Sequence, residues 1–333
     1  MSQASSTGYS AMTKRGDVDM KSFATHDEQL AILISRGLLI DDEAAAKRVL
    51  SRDNYYALID GYKEPFLERD ELKNPYGEEL YEQGSRFGHI LALYQFDRKL
   101  RLLVLGELLK FERSIKSKLA YRFSERFPDV DSFLESANYS PDKAHFHERD
   151  RITATLNNLI ESHKKRHRVR YPELREFYEK HKNLPLWVLV NFLSLGQITN
   201  FYTVIDQDLR MRIAQDFTDD TGEHGISLSA KELDEILSIA FPFRNKAAHE
   251  EVLYPFRLRS PLELSRLESQ LHHDKGSITN GTTASLIKLL KAVSPPEEYE
   301  AFTRDLLELI RSLEEALPEA PYVRVMSEAG FRE

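Results

Sequence analysis

The longest uninterrupted helical pattern in the chain limits its possible folds more than any other feature. Between Phe87 and Phe127 apolar residues recur at helical intervals, and the first proline of this part of the chain is Pro128. Such spacing places apolar side chains on one face of a helix. The segment therefore predicts one long helix, or two shorter ones, in a mostly helical protein. The residues that set the period are Ile90, Leu93, Tyr94, Leu102, Leu105, Leu109 and Ile115.

Helical patterns also occur on both sides of this segment. Thr25 and Glu28 have the spacing of a capping box, which predicts a helix start, and the apolar face that follows runs out at Gly37. After Pro185 an apolar segment is broken by Gly196, which predicts a helix, a turn and another helix in the core. The other helical patterns cover Asp42 to Leu50, His145 to His167, Leu233 to Ala240, Ala284 to Val293 and Glu297 to Ala316.

These patterns divide the chain into four regions. Residues 1–24 are mostly small and polar, which predicts a disordered or loosely attached tail. Residues 25–85 are expected to form an N-terminal helical region, and residues 86–260 a helical core. Residues 261–333 are expected to form a C-terminal helical extension. In the N-terminal region, the aromatic segment from Asn54 to Tyr62 predicts a compact junction whose tyrosines face the core, and Trp187 is also expected in the core.

The composition excludes several classes of site. The chain has 333 residues, no cysteine and a net charge of -8. Disulfides, thiolate nucleophiles and cysteine-ligated zinc are therefore excluded. The negative charge argues against nonspecific coating of nucleic acid, which needs surplus lysine and arginine. No apolar run reaches the roughly 20 residues of a membrane-spanning helix, so we expect a soluble, cytoplasmic protein without a membrane partner.

Familiar cofactor and metal motifs are absent from the sequence. It has no glycine-rich phosphate loop and no HExxH motif, so no cofactor is expected. Histidines do cluster at His145, His147, His163 and His167, but no carboxylate pattern completes a metal site around them. A solvated helix face is the better interpretation, and no metal is expected.

One polar group interrupts the apolar segment FPFRNKAAHEEVLYPF, residues 241–256. It consists of Arg244, Asn245 and His249. The spacing alone is common, because Arg175 and His181 nearly repeat it. On a helix, however, Asn245 and His249 share one face, and Arg244 stands about 100 degrees to one side. The three side chains could therefore converge on one phosphate.

Pro242 bears on the helix that carries this group. Proline cannot continue a regular helix without losing a hydrogen bond, but it suits the first position of a new helix. We therefore expect the pattern of Leu233 to Ala240 to be interrupted and a second helix to begin at Pro242. Arg244 would then lie in a first turn, where free N–H groups favour an anion.

Several segments of the chain resemble one protein family. RNKAAHEEVLYPFR resembles the Arg-polar-x-x-x-His signature of the HEPN superfamily, and the rest resembles its Abi-like branch of bacterial abortive-infection proteins. The NYYxLxxGY and FDRxLR blocks are the specific part of this resemblance. It implies an all-α, HEPN-type helical bundle. The matching segments before the motif are KSFATHDEQLAILISRGLLIDD, RDNYYALIDGYKEPF, YQFDRKLRLLVLGELLKFERSI and NLPLWVLVNFLSLGQITNFY.

The resemblance also implies a function and a site. Active HEPN proteins cut RNA without metal, by attack of the 2′-hydroxyl on the adjacent phosphate, which leaves a cyclic phosphate and a free 5′-hydroxyl. The family's catalytic positions correspond to Arg244, Asn245 and His249. Arg244 would hold the phosphate, His249 would act as acid or base, and Asn245 would orient the histidine or a phosphate oxygen.

Partners and supporting residues follow from the same resemblance. HEPN nucleases commonly pair two motifs across a dimer interface, so one motif implies a homodimer with RNA as its substrate. An antitoxin or a regulatory RNA is a further candidate partner. The segment FERSIKSK is expected beside the site, with Glu112, Arg113 and Lys116 as supporting residues. Lys116 stands where a second arginine would be expected.

Other interpretations of these residues remain open from the sequence. Arg244 and His249 could form a structural ion pair or helix cap with Glu250 or Glu251. The protein could hold a structured or guide-like RNA without cutting it, or serve as a purely structural interaction protein. A basic segment could be a solvated loop or a surface that attracts RNA phosphates. Its charged residues are Lys164, Lys165, Arg166, Arg168 and Arg170.

Overall fold

The computed structural model describes residues 23–69, 79–162, 171–222, 225–272 and 276–332. Within these ranges the regular secondary structure is helical, with isolated β-bridges and no strand. This confirms the all-α prediction. No helix in the described ranges is long and apolar enough to cross a membrane.

The chain first forms a short helical pair. Helix α1 spans His26–Ser35 and packs against α2, which spans Glu43–Arg52. The predicted capping box is confirmed: the Glu28 N–H donates to Thr25 Oγ1 at 3.3 Å, and the Thr25 N–H donates to the Glu28 carboxylate at 2.7 Å. Gly37 follows α1 with φ +90°, a left-handed conformation that ends the helix at the predicted position.

One long helix, α3, forms the axis of the fold. It spans Phe87–Arg126, a single helix of 40 residues and about 60 Å. Its buried stripe includes Leu100, Val104 and Leu108, which have no exposed surface. Leu102 and Leu109, which we expected on the buried face, are 65% and 46% exposed. The segment has apolar residues on more than one side, so its period alone could not identify the face that packs.

Six further helices follow α3 in the middle of the chain. Helices α8 and α9 pack directly against α3, and α4 packs on α7, which in turn packs on α9. They are α4 (Phe146–Ser162), α5 (Pro172–His181), α6 (Leu186–Leu189), α7 (Leu195–Val204), α8 (Gln207–Asp220) and α9 (Ala230–Ala248).

The turn between α6 and α7 does not lie at Gly196, as the sequence led us to expect. It lies at Ser194, whose side chain accepts from the Gln197 N–H in a capping box. Gly196 lies inside α7, and a Cβ there would come within 2.6 Å of the Phe241 ring. This glycine therefore allows α7 and α9 to approach each other closely.

Helix α9 corrects the prediction for Pro242. The helix is continuous from Ala230 to Ala248 and contains Pro242 in its interior. Proline leaves the Ser238 carbonyl without its helical donor, but packing on both sides keeps the helix intact, since Ala240 and Phe243 are fully buried. Arg244 consequently lies in the last turns of a helix, and the free N–H groups of a first turn are not available to it.

The C-terminal part packs onto the rest of the fold. Helix α12 lies along α3, α11 packs against α9, and α13 packs against the turn Glu64–Phe66. Arg324 fixes this last contact by donating to the Pro65 carbonyl at 2.6 Å. The helices are α10 (Ser265–Gln270), α11 (Thr283–Leu290), α12 (Pro296–Ala316) and α13 (Glu319–Ala329).

Candidate functional site

The end of α9 meets the middle of α3 at a charged cluster. Arg244 Nε donates to Glu112 Oε2 at 3.2 Å, although the two residues are 132 positions apart. Lys116 Nζ donates to the other oxygen, Oε1, at 2.7 Å. The Glu112 side chain is only 9% exposed, whereas Arg244 is 29% exposed. One buried carboxylate therefore holds two cations, and the cluster keeps a net positive charge.

His249 caps the same end of α9. Its backbone N–H donates to the Asn245 carbonyl at 3.0 Å, so the two residues are one helical turn apart on one side of the helix. Asn245 is half-buried and His249 is exposed. Within the described residues the imidazole ring makes no hydrogen bond, so both of its nitrogens are open to a ligand from outside.

The acidic residues after His249 do not form the ion pair considered from the sequence. Glu251 instead bonds Lys246 at 2.5 Å, and this hydrogen bond lowers the pKa of the Glu251 carboxyl. Lys246 also lies 4.8 Å from the centre of the Phe256 ring. Arg244 therefore pairs with Glu112, and this residue of α3 orients the Arg244 guanidinium.

A buried polar cluster fixes the chain just beyond His249. Asp97 in α3 has no exposed surface, and its carboxylate accepts the backbone N–H of Leu253 at 3.1 Å and that of Tyr254 at 2.8 Å. It also accepts the Tyr62 hydroxyl at 2.8 Å and the Arg101 guanidinium. Burial raises the pKa of Asp97, against the opposing effect of Arg101 and these hydrogen bonds. We call these five residues the Asp97 cluster.

The Asp97 cluster joins the two specific sequence blocks. Tyr62 ends NYYALIDGY, and Asp97 and Arg101 belong to FDRKLR. Tyr62 is buried with its ring edge-on to Tyr94 at 5.4 Å, which confirms core packing for this tyrosine. The same prediction is wrong for Tyr56, which is 75% exposed.

Sequence reasoning missed the Asp97 cluster, although a signal for it was present. Asp97 and Arg101 stand four positions apart within an otherwise apolar stripe of the predicted long helix. Charges in such a stripe are almost never fully buried unless they are paired. An opposite-charge pair at this spacing can form within one helix turn. The pattern could therefore have indicated a buried ion pair.

A groove opens beside Lys116 on the outer side of α3. It has a volume of about 670 Å³, and its wall includes Arg113, Lys116, Tyr121, Trp187 and Asn191. Arg113 is exposed there rather than bonded to Glu112. The expectation that Trp187 lies in the core is wrong, since it is 56% exposed. The short helix α6 places this ring at the surface while burying its neighbours Leu186 and Leu189.

Part of the sequence-predicted surface lies outside the described residues. This applies to the basic residues Lys164, Lys165, Arg166, Arg168 and Arg170, and to His163 and His167. His147 is described and is 83% exposed, 3.6 Å from Glu148. No group of three or more histidine, aspartate or glutamate side chains that could hold a metal ion occurs in the described ranges.

Comparison with known proteins gives one match. A family model described as Abi-like protein matches residues 48–255. No curated protein and no solved structure matches the chain significantly. The matched range contains the Glu112 contact with Arg244, His249 and every member of the Asp97 cluster.

Proposed function

The chain belongs to the Abi-like family, and from this premise we propose that it is a metal-independent endoribonuclease of the HEPN type that serves abortive-infection defence. The observation that supports this function best is the end of α9. There a buried carboxylate orients Arg244, and the same end of the helix carries an exposed histidine that has no hydrogen-bond partner in the described residues. An arginine can bind the scissile phosphate and a histidine can transfer a proton, which are two roles in a metal-free cleavage of RNA.

Arg244 is the group that would bind the scissile phosphate. Glu112 occupies Nε, so the two terminal nitrogens remain without a partner in the described residues. Two parallel N–H groups match two phosphate oxygens, and they oppose the charge that grows in the transition state. The C-terminal end of a helix carries partial negative charge, so the guanidinium and not the α9 dipole must attract the anion.

His249 is the group that would move the proton. The RNA 2′-oxygen attacks the neighbouring phosphorus and gives up its proton, and the bond to the 5′-oxygen breaks as that oxygen gains a proton. The products are a 2′,3′-cyclic phosphate and a 5′-hydroxyl. Histidine suits either transfer because its charge changes between about pH 5 and 8. Asn245, on the same side of α9, would orient the imidazole or a phosphate oxygen.

Two proton transfers, and one histidine in the candidate site of each chain, favour a homodimer. One copy of His249 would act as base and the second as acid, with two copies of Arg244 around one phosphate. Because the ring is exposed and makes no hydrogen bond within the described residues, it is available to be shared across such an interface. The proposed partners are therefore RNA and a second copy of this chain.

The direct test is cleavage of RNA by the purified protein in the presence of a chelator. Arg244→Ala and His249→Ala should each lower the rate by about 10²- to 10⁴-fold, the range for loss of an electrostatic or proton-transferring group. Matched controls are Arg98→Ala and His147→Ala, exposed residues of the same types outside the site. The fragments should end in a cyclic phosphate and a 5′-hydroxyl. Cleavage that persists in both site variants would refute the proposal.

A second function is favoured by the same contacts. Arg244 already bonds Glu112, and no described side chain orients the His249 ring. The site could therefore hold a structured RNA without cutting it. Copurification of one RNA of defined size, together with no cleavage of offered RNA, would support this function over the nuclease.

A further inference from the structure

We propose that the groove between α3 and α6 binds an unpaired RNA base by stacking it on Trp187, next to the phosphate held by Arg244. This inference rests on the proposed function, because it assigns a substrate contact to the same site. Apart from Lys116, which also bonds Glu112, the residues of this groove belong neither to the Glu112–Arg244 contact nor to the Asp97 cluster.

The Trp187 ring lines the groove, where neighbouring groups hold it in place but leave much of its surface exposed. It contacts the Phe177 ring edge-on, with centroids 5.5 Å apart and an interplanar angle of 82°. Its backbone carbonyl accepts Asn191 Nδ2 at 2.9 Å, which holds α6 and the following turn together. The ring nevertheless remains 56% exposed. A large aromatic surface held in this way is suited to a planar ligand, since it loses little conformational entropy on binding.

The charges around the groove favour a phosphate-bearing ligand. Arg113 is exposed on its wall and has no ion pair within the described residues. Lys116 also lines it, and through Glu112 it is linked to Arg244 by contacts of 2.7 Å and 3.2 Å. The acidic wall residue Glu125 accepts from Arg122 at 2.8 Å and shares this guanidinium with Asp216, so its charge is partly compensated. The groove is therefore cationic where it adjoins the cleavage site.

The size and polarity of the groove fit a nucleotide. A volume of about 670 Å³ lies within the range of small-ligand sites, about 300–1,000 Å³. Asn191 uses its Nδ2 group on the Trp187 and Val188 carbonyls, which leaves Oδ1 as an acceptor for a base amino group. Ser117 and Ser124 add hydroxyls to the wall. Stacking tolerates every base, and it requires a base that is not paired.

The test uses the fact that Trp187 is the single tryptophan of the chain. A short single-stranded RNA with 2′-O-methyl riboses cannot be cleaved, because its attacking hydroxyl is blocked. Titrated into the full chain, it should quench the tryptophan fluorescence, whereas the same sequence as a duplex should not. A stacked base should also protect the ring from an added small-molecule quencher.

Affinity of a fluorescently labelled copy of the same RNA gives the second measurement. Trp187→Ala should weaken binding by about 5- to 150-fold, the range for loss of one stacked base, and Trp187→Phe should weaken it less. Tyr56→Ala removes an aromatic ring that is 75% exposed and outside the groove, so it should leave affinity unchanged. Circular dichroism of all three variants should match the unaltered protein.

The outcomes separate this inference from the nuclease proposal. Quenching by the 2′-O-methyl RNA, together with no cleavage of unmodified RNA, supports the groove and refutes the nuclease. Cleavage without quenching, with full affinity in Trp187→Ala, refutes the groove alone. A blue shift of the fluorescence that grows with protein concentration in the absence of RNA would place a second copy of the chain on Trp187, and would also overturn the inference.

Discussion

Removing the charge of Asp97 is the most informative perturbation of this fold. In Asp97→Asn the side chain keeps its shape, and its remaining oxygen can still accept the N–H groups of Leu253 and Tyr254. Its new amide NH2 group faces the Arg101 guanidinium. Both groups are hydrogen-bond donors, so neither can accept from the other. The Tyr62 hydroxyl can reverse its role and accept from the amide, so the unmatched group is the charge of Arg101.

The expected loss of stability follows from the burial of this pair. Asp97 and Arg101 are 0% and 4% exposed, so neither charge can turn to water. Removing one partner of such a pair costs about 3–5 kcal/mol. That is a large share of the free energy of unfolding of a typical domain, about 5–15 kcal/mol. Asp97→Ala should cost more, because two buried N–H groups then also lose their acceptor at about 1–3 kcal/mol each.

Urea denaturation followed by circular dichroism measures the loss, and a double variant identifies its cause. Asp97→Asn with Arg101→Met removes both charges, and replacing a whole buried pair is often close to neutral. The double variant should therefore be more stable than Asp97→Asn alone. A loss below about 1 kcal/mol for Asp97→Asn, the value of one ordinary hydrogen bond, would refute the reasoning. The reasoning would also be refuted if the loss of stability in the double variant equalled the sum of the losses in Asp97→Asn and Arg101→Met.

Two further substitutions test the site and the helix that carries it. Glu112→Gln removes the charge that orients Arg244, so kcat for RNA cleavage should fall about 10- to 100-fold, while KM stays unchanged or falls because a negative charge near the phosphate is lost. Steady-state kinetics measure kcat and KM separately. An unchanged kcat would show that Glu112 does not position Arg244. Pro242→Ala supplies the missing donor to the Ser238 carbonyl. The free energy of unfolding should therefore stay the same or rise by up to about 3 kcal/mol, which is seen as an equal or higher urea midpoint. A clear fall would contradict a continuous α9.

Local features of the sequence predicted several of the helical elements, but not α5, α8, α10 or α13. The period of Phe87–Arg126 and the capping box at Thr25 depend on residues within a few positions of each other, so they can be recognised without knowledge of the fold. The same holds for the i and i+4 relation of Asn245 and His249. Pro242 shows where such reasoning fails: its local preference favours a helix start, but the neighbours that bury Ala240 and Phe243 keep α9 continuous.

Contacts between distant segments were decided by the tertiary structure. The sequence by itself determined an all-α protein, the family blocks and the Arg244–His249 group. It could not determine that Glu112 holds Arg244 across 132 positions, or that Asp97 holds Leu253 across 156. It also placed Trp187 in the core, whereas the packing of α6 leaves the ring exposed. The physical reason is that periodicity fixes which residues share a face, while the neighbouring helices decide which face is covered.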